Sequence, residues 1–226
     1  VFAHPFLHNI HLLVLLIALA GLLGYLIGSI PTAYLLVRGA RRMDIRGAGS
    51  GNVGALNSYQ VTGSPLIGGL VLVVDLAKGV AAVLAARWLG AGDFATTALA
   101  GVAAVFGHNY SIWVGLRGGR GLATAAGVFL LIAWPVIAGW ILCWIAAYAF
   151  LRRVNPASAV ASMALIVVAL AAPHRSLSAL LPATVAPGQL VLLVVAMMLV
   201  ILSRLIEPFD RFLEERKQTR KGGPGA

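Results

Sequence analysis

The residues from Asp44 to Asn57 have the types and spacing for oxyanion chemistry. They read Asp44-Ile45-Arg46-Gly47-Ala48-Gly49-Ser50-Gly51-Asn52-Val53-Gly54-Ala55-Leu56-Asn57. Gly49, Gly51 and Gly54 permit backbone conformations that residues with a Cβ resist, so successive N–H groups can turn toward one point. Arg46 adds a fixed positive fork, and Ser50, Asn52 and Asn57 add neutral hydrogen-bonding groups. Such a loop suits a phosphate. The alternative for any Gly/Ser/Asn-rich stretch is a flexible connection.

A second cluster runs from Gly107-His108-Asn109 to Gly118-Gly119-Arg120-Gly121, directly before an apolar helix from Leu122. Glycine amides, Arg120 and the positive end of that helix would act together on an anion. His108 is either a general base or a residue that orients its loop, the criterion being its distance from the proton to be moved. A third polar cluster holds Arg153, Asn155 and Ser158. Asp75 and Lys78 lie one helical turn apart in an apolar run, where each ionised group costs roughly 2.5–3.5 kcal/mol on insertion scales. They read as a pair that positions loops. His4, His8 and His11 share a helical spacing but have no carboxylate nearby, and no metal site is assigned to them.

The sequence has no Walker A lysine–serine pair, no His-x4-Asp acyltransferase signature, no Gly-x-Ser-x-Gly elbow and no cluster of metal ligands. Two phosphate cradles without an evident nucleophile suggest transfer between phosphorylated substrates, one of them apolar enough to lie in a bilayer.

The elements that must position these loops are membrane spans. The chain has 226 residues, 60% of them hydrophobic and only 11% charged; a soluble domain is about one quarter charged. The net charge of +10 sits in short connections and a tail, which excludes a nucleic-acid surface and fits the positive-inside rule. Cys143 is the only cysteine, so no disulfide framework forms within the chain. Apolar runs predict an all-α integral membrane protein of seven spans: about 10–37, 66–88, 94–106, 122–133, 136–151, 155–172 and 189–206. The first is too long for a signal h-region. Gly24, Gly28 and Ser29 on it favour close helix packing, and Pro31 interrupts it. The spans at 122–133 and 136–151 fall short of the roughly 20 residues of an upright helix, so they are expected to tilt or re-enter. Arg38, Arg41, Arg42 and Arg46, then Arg152 and Arg153, place those loops in the cytoplasm, with the N-terminus outside and the C-terminus inside. Residues 1–206 read as one membrane domain and 207–226 as a charged cytoplasmic tail forming a surface helix.

In this order the motifs resemble the bacterial acyl-phosphate:glycerol-3-phosphate acyltransferase family. The matching residues are Gly28-Ser29-Ile30-Pro31, Asp44-Ile45-Arg46, Gly49 to Ala55, Asn57, Asp75 with Lys78-Gly79, Gly107-His108, and Gly118 to Gly121 with Ala123-Thr124. The resemblance implies seven helices in a bacterial inner membrane and an active site on the cytoplasmic face. It implies acyl transfer from acyl phosphate to the 1-hydroxyl of glycerol 3-phosphate, giving lysophosphatidic acid, with no metal, coenzyme or obligate protein partner. Arg46 and Arg120 would hold the phosphates, with Ser50, Asn52 and His108 around the reacting groups. Asn57, Gly49, Gly51, Gly54, Gly118, Gly119, Gly121, Asn155 and Ser158 would line the substrates.

The chain departs from the family pattern in several places. Arg120 stands where the family has lysine, Leu56 where it has threonine, Ser111 where it has proline and Asn155 where it has serine. After the last span, Arg204 to Pro208 supply neither the histidine nor the asparagine usual there. Two other functions compete. A permease would need polar residues through the full depth of the spans, whose outer halves are almost wholly apolar. A non-catalytic lipid- or phosphate-binding paralogue, or one with another acceptor, would keep the cradle without this turnover.

Overall fold

The computed structural model describes residues 5–89, 93–178 and 185–221. His4, residues 90–92, 179–184 and 222–226 lie outside the described residues, as does the side chain of His8; the expected outer turn and part of the expected outer loop fall there. Among the described residues every regular element is helical. In order they are α1 (Pro5–Ser29), α2 (Thr32–Arg41), a 3-10 turn (Ile45–Gly47), α3 (Ala55–Thr62), α4 (Pro65–Trp88), α5 (Phe94–Asn109) and a second 3-10 turn (Ile112–Val114). Then follow α6 (Leu122–Ile132), α7 (Trp134–Leu151), α8 (Val154–Ala171), α9 (His174–Ser178), α10 (Pro187–Leu202) and α11 (Ile206–Lys221).

Four apolar segments are long enough to cross a membrane: His11–Arg41, Pro65–Trp88, Trp134–Leu151 and Val154–Ala171. A fifth forms if α10 and the start of α11, bent by 64°, count as one span. α6 is apolar but shorter. Large apolar side chains face outward along these helices, among them Val73, Leu142 and Leu192. This suits a lipid solvent, where every backbone group must be satisfied within the helix.

Contacts divide the chain into two compact units, Val1–Trp134 and Pro135–Ala226. In the first, α1 and α5 pack backbone to backbone. A Cβ on Gly28 would stand 1.9 Å from the Ala104 carbonyl oxygen, and one on Gly24 2.2 Å from that of Ala100. The small-residue stripe therefore does what its spacing predicts. α4 and α6 cross as closely through Gly79 and Gly127.

Pro31 breaks the first span as expected: Ser29 ends α1 and Thr32 opens α2. The sequence reading did not anticipate α3. Gly54 leads into it with extended backbone, and Gly63, at φ +66°, ends it in the left-handed region. Ser64 then caps α4 through its hydroxyl, which accepts from the Ile67 amide at 3.4 Å. Ala33, Val37, Ile45, Val53 and Val71 form a buried cluster. Ile45 and Val53 belong to the glycine-rich loop, so both ends of that loop are anchored in apolar packing.

In the second unit, α8 packs on α10, and Ala161, Leu165, Leu193 and Met197 of these helices are buried. The Trp140 and Trp144 indoles donate to Ser162 and Ser158 hydroxyls at 3.1 and 3.2 Å. α11 continues the chain as the expected helix, and Arg153 meets Glu215 at 3.5 Å.

Candidate active site

The first glycine-rich loop is organised from within. Asp44 precedes the 3-10 turn, and its carboxylate accepts from the Arg46 amide at 3.0 Å. The same carboxylate grips the Arg46 guanidinium, with Nη2 at 2.6 Å and Nε at 3.0 Å. These bonds hold the Asp44 carboxyl well below the usual carboxylate range, at about 2, and raise the Arg46 pKa. Arg46 also lies 5.1 Å from the centroid of the Tyr34 ring. Its fork is thus braced rather than loose.

Asn57 is buried and acts on the loop itself. Its Oδ1 accepts from the Ser50 amide at 3.0 Å, and its Nδ2 donates to the Ala48 and Asn52 carbonyls at 3.1 and 3.0 Å. Gly49, at φ +58°, has no room for a Cβ beside Asn57 Oδ1. Ser50 is exposed and Asn52 half-buried, so these two side chains remain at the surface of the loop.

The second loop meets the first at two points. The Val53 amide donates to the Gly118 carbonyl at 3.4 Å, and Arg46 Nη1 donates to the Val114 carbonyl at 3.3 Å. The Gly118 and Gly119 amides do not point at a ligand. They donate to the Asn109 and His108 carbonyls at 3.1 and 3.0 Å. Those glycines are required for close approach, because a Cβ on Gly119 would stand 2.1 Å from His108 Nε2 and 2.8 Å from the Val53 carbonyl. In the first loop the Gly51 amide likewise donates inward, to Ala48 at 3.0 Å. The Gly51, Gly118 and Gly119 amides are thus taken up by backbone carbonyls. Arg120 is half-buried on the approach to α6, and Gly121 turns the chain there at φ +77°.

Beneath both loops lies a buried ionic group. Lys78 Nζ is 2.7 Å from Asp75 Oδ1, and both side chains are almost wholly enclosed. His108 Nδ1 is 3.7 Å from the same oxygen, too far for a hydrogen bond but close enough for an electrostatic pull. Lys78 also donates to the Ile30 carbonyl at 2.6 Å. Its charge therefore meets the helix break beside the negative end of α1, which the macrodipole favours. Ser111 donates to the Ser29 carbonyl at 2.5 Å, and the Trp113 indole to the Ser29 hydroxyl at 3.0 Å. Ser29, Thr32, Trp113 and Tyr34 were not legible as parts of this site. They join it only through contacts between residues far apart in the chain.

Asn155 and Ser158 belong to the second unit. Asn155 is half-buried at the start of α8. Ser158 is buried, donates to the Val154 carbonyl at 2.8 Å and accepts from Trp144.

The family profile described as Glycerol-3-phosphate acyltransferase matches residues 18–215. The chain belongs to that family. A glycerol-3-phosphate acyltransferase of Roseobacter denitrificans is 45% identical over 149 residues, covering 66% of this chain and 72% of that protein. One from Geobacter metallireducens is 49% identical over 122 residues, covering 54% of this chain and 60% of its own length. Among solved structures, PlsY, an integral membrane glycerol 3-phosphate acyltransferase, superposes in its glycerol 3-phosphate form with a TM-score of 0.72. The two are 28% identical, with 88% of this chain and 93% of that one covered. The lysophosphatidic acid form of PlsY superposes with a TM-score of 0.68 at 27% identity. With its apolar helices, this family member is a multi-pass integral membrane protein and an acyltransferase.

Proposed function

We propose that this acyltransferase moves a fatty acyl group from an acyl phosphate to the 1-hydroxyl of glycerol 3-phosphate, at the cytoplasmic face of a bacterial inner membrane. The observation that carries the reading is the pair of joined loops, one bearing Arg46 and the other Arg120, in a chain of this family. An acyl phosphate is a mixed anhydride with a good leaving group, so no covalent enzyme intermediate is needed. The 1-hydroxyl oxygen attacks the acyl carbonyl carbon. The carbon–oxygen bond to phosphate breaks, and lysophosphatidic acid and inorganic phosphate leave. The hydroxyl proton passes to a phosphate oxygen of a bound substrate. The work left to the protein is positioning and charge neutralisation.

In this reading Arg46, held by Asp44, and Arg120 bind the two phosphates. Ser50 and Asn52 orient the glycerol and the reacting carbonyl. Asn57 and the glycines shape the loops, His108 fixes the second loop against Gly119, and Asp75 with Lys78 hold the helix break in place. No metal or coenzyme takes part, and no obligate protein partner is assigned.

The topology we favour has seven spans, formed by α1 with α2, α4, α5, α6, α7, α8 and α10. The N-terminus is outside and the C-terminus in the cytoplasm. Arginines clustered at 38–46 and 152–153 support it. Residues 1–206 form the membrane domain and 207–226 its cytoplasmic tail.

The test is transfer by purified protein in detergent, with palmitoyl phosphate or palmitoyl-CoA offered against labelled glycerol 3-phosphate. Labelled lysophosphatidic acid from palmitoyl phosphate alone is expected. Product from palmitoyl-CoA, or from neither donor with folded protein, contradicts the reading.

A further inference from the structure

A narrow cleft opens at the break between α1 and α2. Thr32, Val53, Lys78, His108, Ser111 and Gly118 line it. It therefore lies where the two glycine-rich loops join, since Val53 and Gly118 are the residues that pair them. It is small, with room for about one water-sized group, so it does not enclose a whole small molecule. It suits one part of a substrate whose remainder lies in the loops above.

Most polar groups in the wall are committed to one another. Lys78 is taken up by Asp75 and the Ile30 carbonyl. Ser111 donates to the Ser29 carbonyl, and the Ser29 hydroxyl donates to Leu26 while accepting from Trp113. Thr32 differs. It is 7% exposed, and its Oγ1 has no hydrogen-bond partner. A buried hydroxyl without a partner is disfavoured, and such groups mark places where a ligand or water completes the set. The cleft also carries no surplus charge, because Asp75 balances Lys78 at 2.7 Å. A phosphate or a developing oxyanion would find little compensation there. A neutral hydroxyl, which donates and accepts as Thr32 does, is the matching chemistry.

Resting on the acyl-transfer reading, we propose that Thr32 Oγ1 hydrogen-bonds the 2-hydroxyl of the acceptor in this cleft. The contact makes Thr32 a specificity-determining residue. It recognises the vicinal diol and turns the 1-hydroxyl, not the 2-hydroxyl, toward the donor carbonyl.

The experiment compares glycerol 3-phosphate with 3-hydroxypropyl phosphate, which lacks the 2-hydroxyl, on wild type, Thr32→Val and Thr32→Ser, reading kcat/KM. One neutral hydrogen bond corresponds to roughly a tenfold preference. Wild type and Thr32→Ser are expected to prefer glycerol 3-phosphate by that factor. Thr32→Val is expected to use both acceptors at the low rate wild type shows with 3-hydroxypropyl phosphate. The proposal is overturned if Thr32→Val keeps the wild-type preference, as it would if the cleft held only water. It is also overturned if Thr32→Val loses both acceptors in proportion, as a merely structural residue would. A wild type that acylates neither acceptor removes the acyl-transfer reading and this one with it, a result separate from the other two.

Discussion

Lys78→Met tests the claim that a buried ion pair holds the helix break beneath the loops. Asp75 and Lys78 are 2% and 4% exposed. Removing the ammonium leaves the Asp75 carboxylate enclosed, with His108 Nδ1 3.7 Å away. Breaking one side of such a pair costs about 3–5 kcal/mol. The Ile30 carbonyl still accepts from the Thr32 amide at 3.0 Å, so losing the Lys78 bond there adds only about 1 kcal/mol. For a chain of this length the loss corresponds to a drop in Tm on the order of 10 °C. Asp75→Leu combined with Lys78→Met leaves no buried charge and is expected to recover most of the loss. The coupling between the two sites should therefore be at least about 2 kcal/mol. The assay is unfolding in detergent for wild type, both single variants and the double. If Lys78→Met lies within about 1 kcal/mol of wild type, or if the two losses simply add, the pair is not what stabilises the break.

Gly119→Ala places a Cβ 2.1 Å from His108 Nε2 and 2.8 Å from the Val53 carbonyl; displacing the joined loops by about 1 Å is expected to lower kcat/KM roughly 100-fold, and steady-state kinetics on folded protein check it. The Asp44 carboxyl is lowered from 3.8 to about 2 by its bonds to Arg46. Its folded pKa lies below the unfolded one, so its contribution to stability is fully present above pH 3.8 and is lost as the pH falls through about 2. Between pH 5 and 8 this carboxylate does not titrate. Asp44→Asn should therefore weaken substrate binding across that range without moving the pH profile, and a KM–pH series on both proteins measures it.

Much of this architecture is readable from residue order alone. The small residues of α1 predict close helix packing, which α5 supplies, and Pro31 predicts the break. The i,i+3 spacing of Asp75 and Lys78 predicts their pairing. What escapes the sequence depends on contacts between distant segments. α3 lacks a long apolar stripe and is defined by two glycines and the packing of Ala55 and Val61 on a buried cluster. Arg46 reads as a fork for a phosphate, although Asp44 two residues earlier occupies part of it. Glycine amides read as an anion cradle, yet those of Gly118 and Gly119 turn toward α5 carbonyls, because the same residue type serves close backbone approach as well as N–H presentation. Thr32 is an ordinary helix-start residue until Lys78, His108 and Ser111 are folded around it.

The most direct measurement of the central claim is lysophosphatidic acid formation from palmitoyl phosphate and labelled glycerol 3-phosphate by wild type, Arg46→Ala and Arg120→Ala, each checked for folding. Turnover by wild type and at least a 100-fold loss of kcat/KM in both variants, about 2.7 kcal/mol of transition-state stabilisation each, is the expected result. Near-wild-type turnover in either variant would show that the two joined loops do not hold the phosphates.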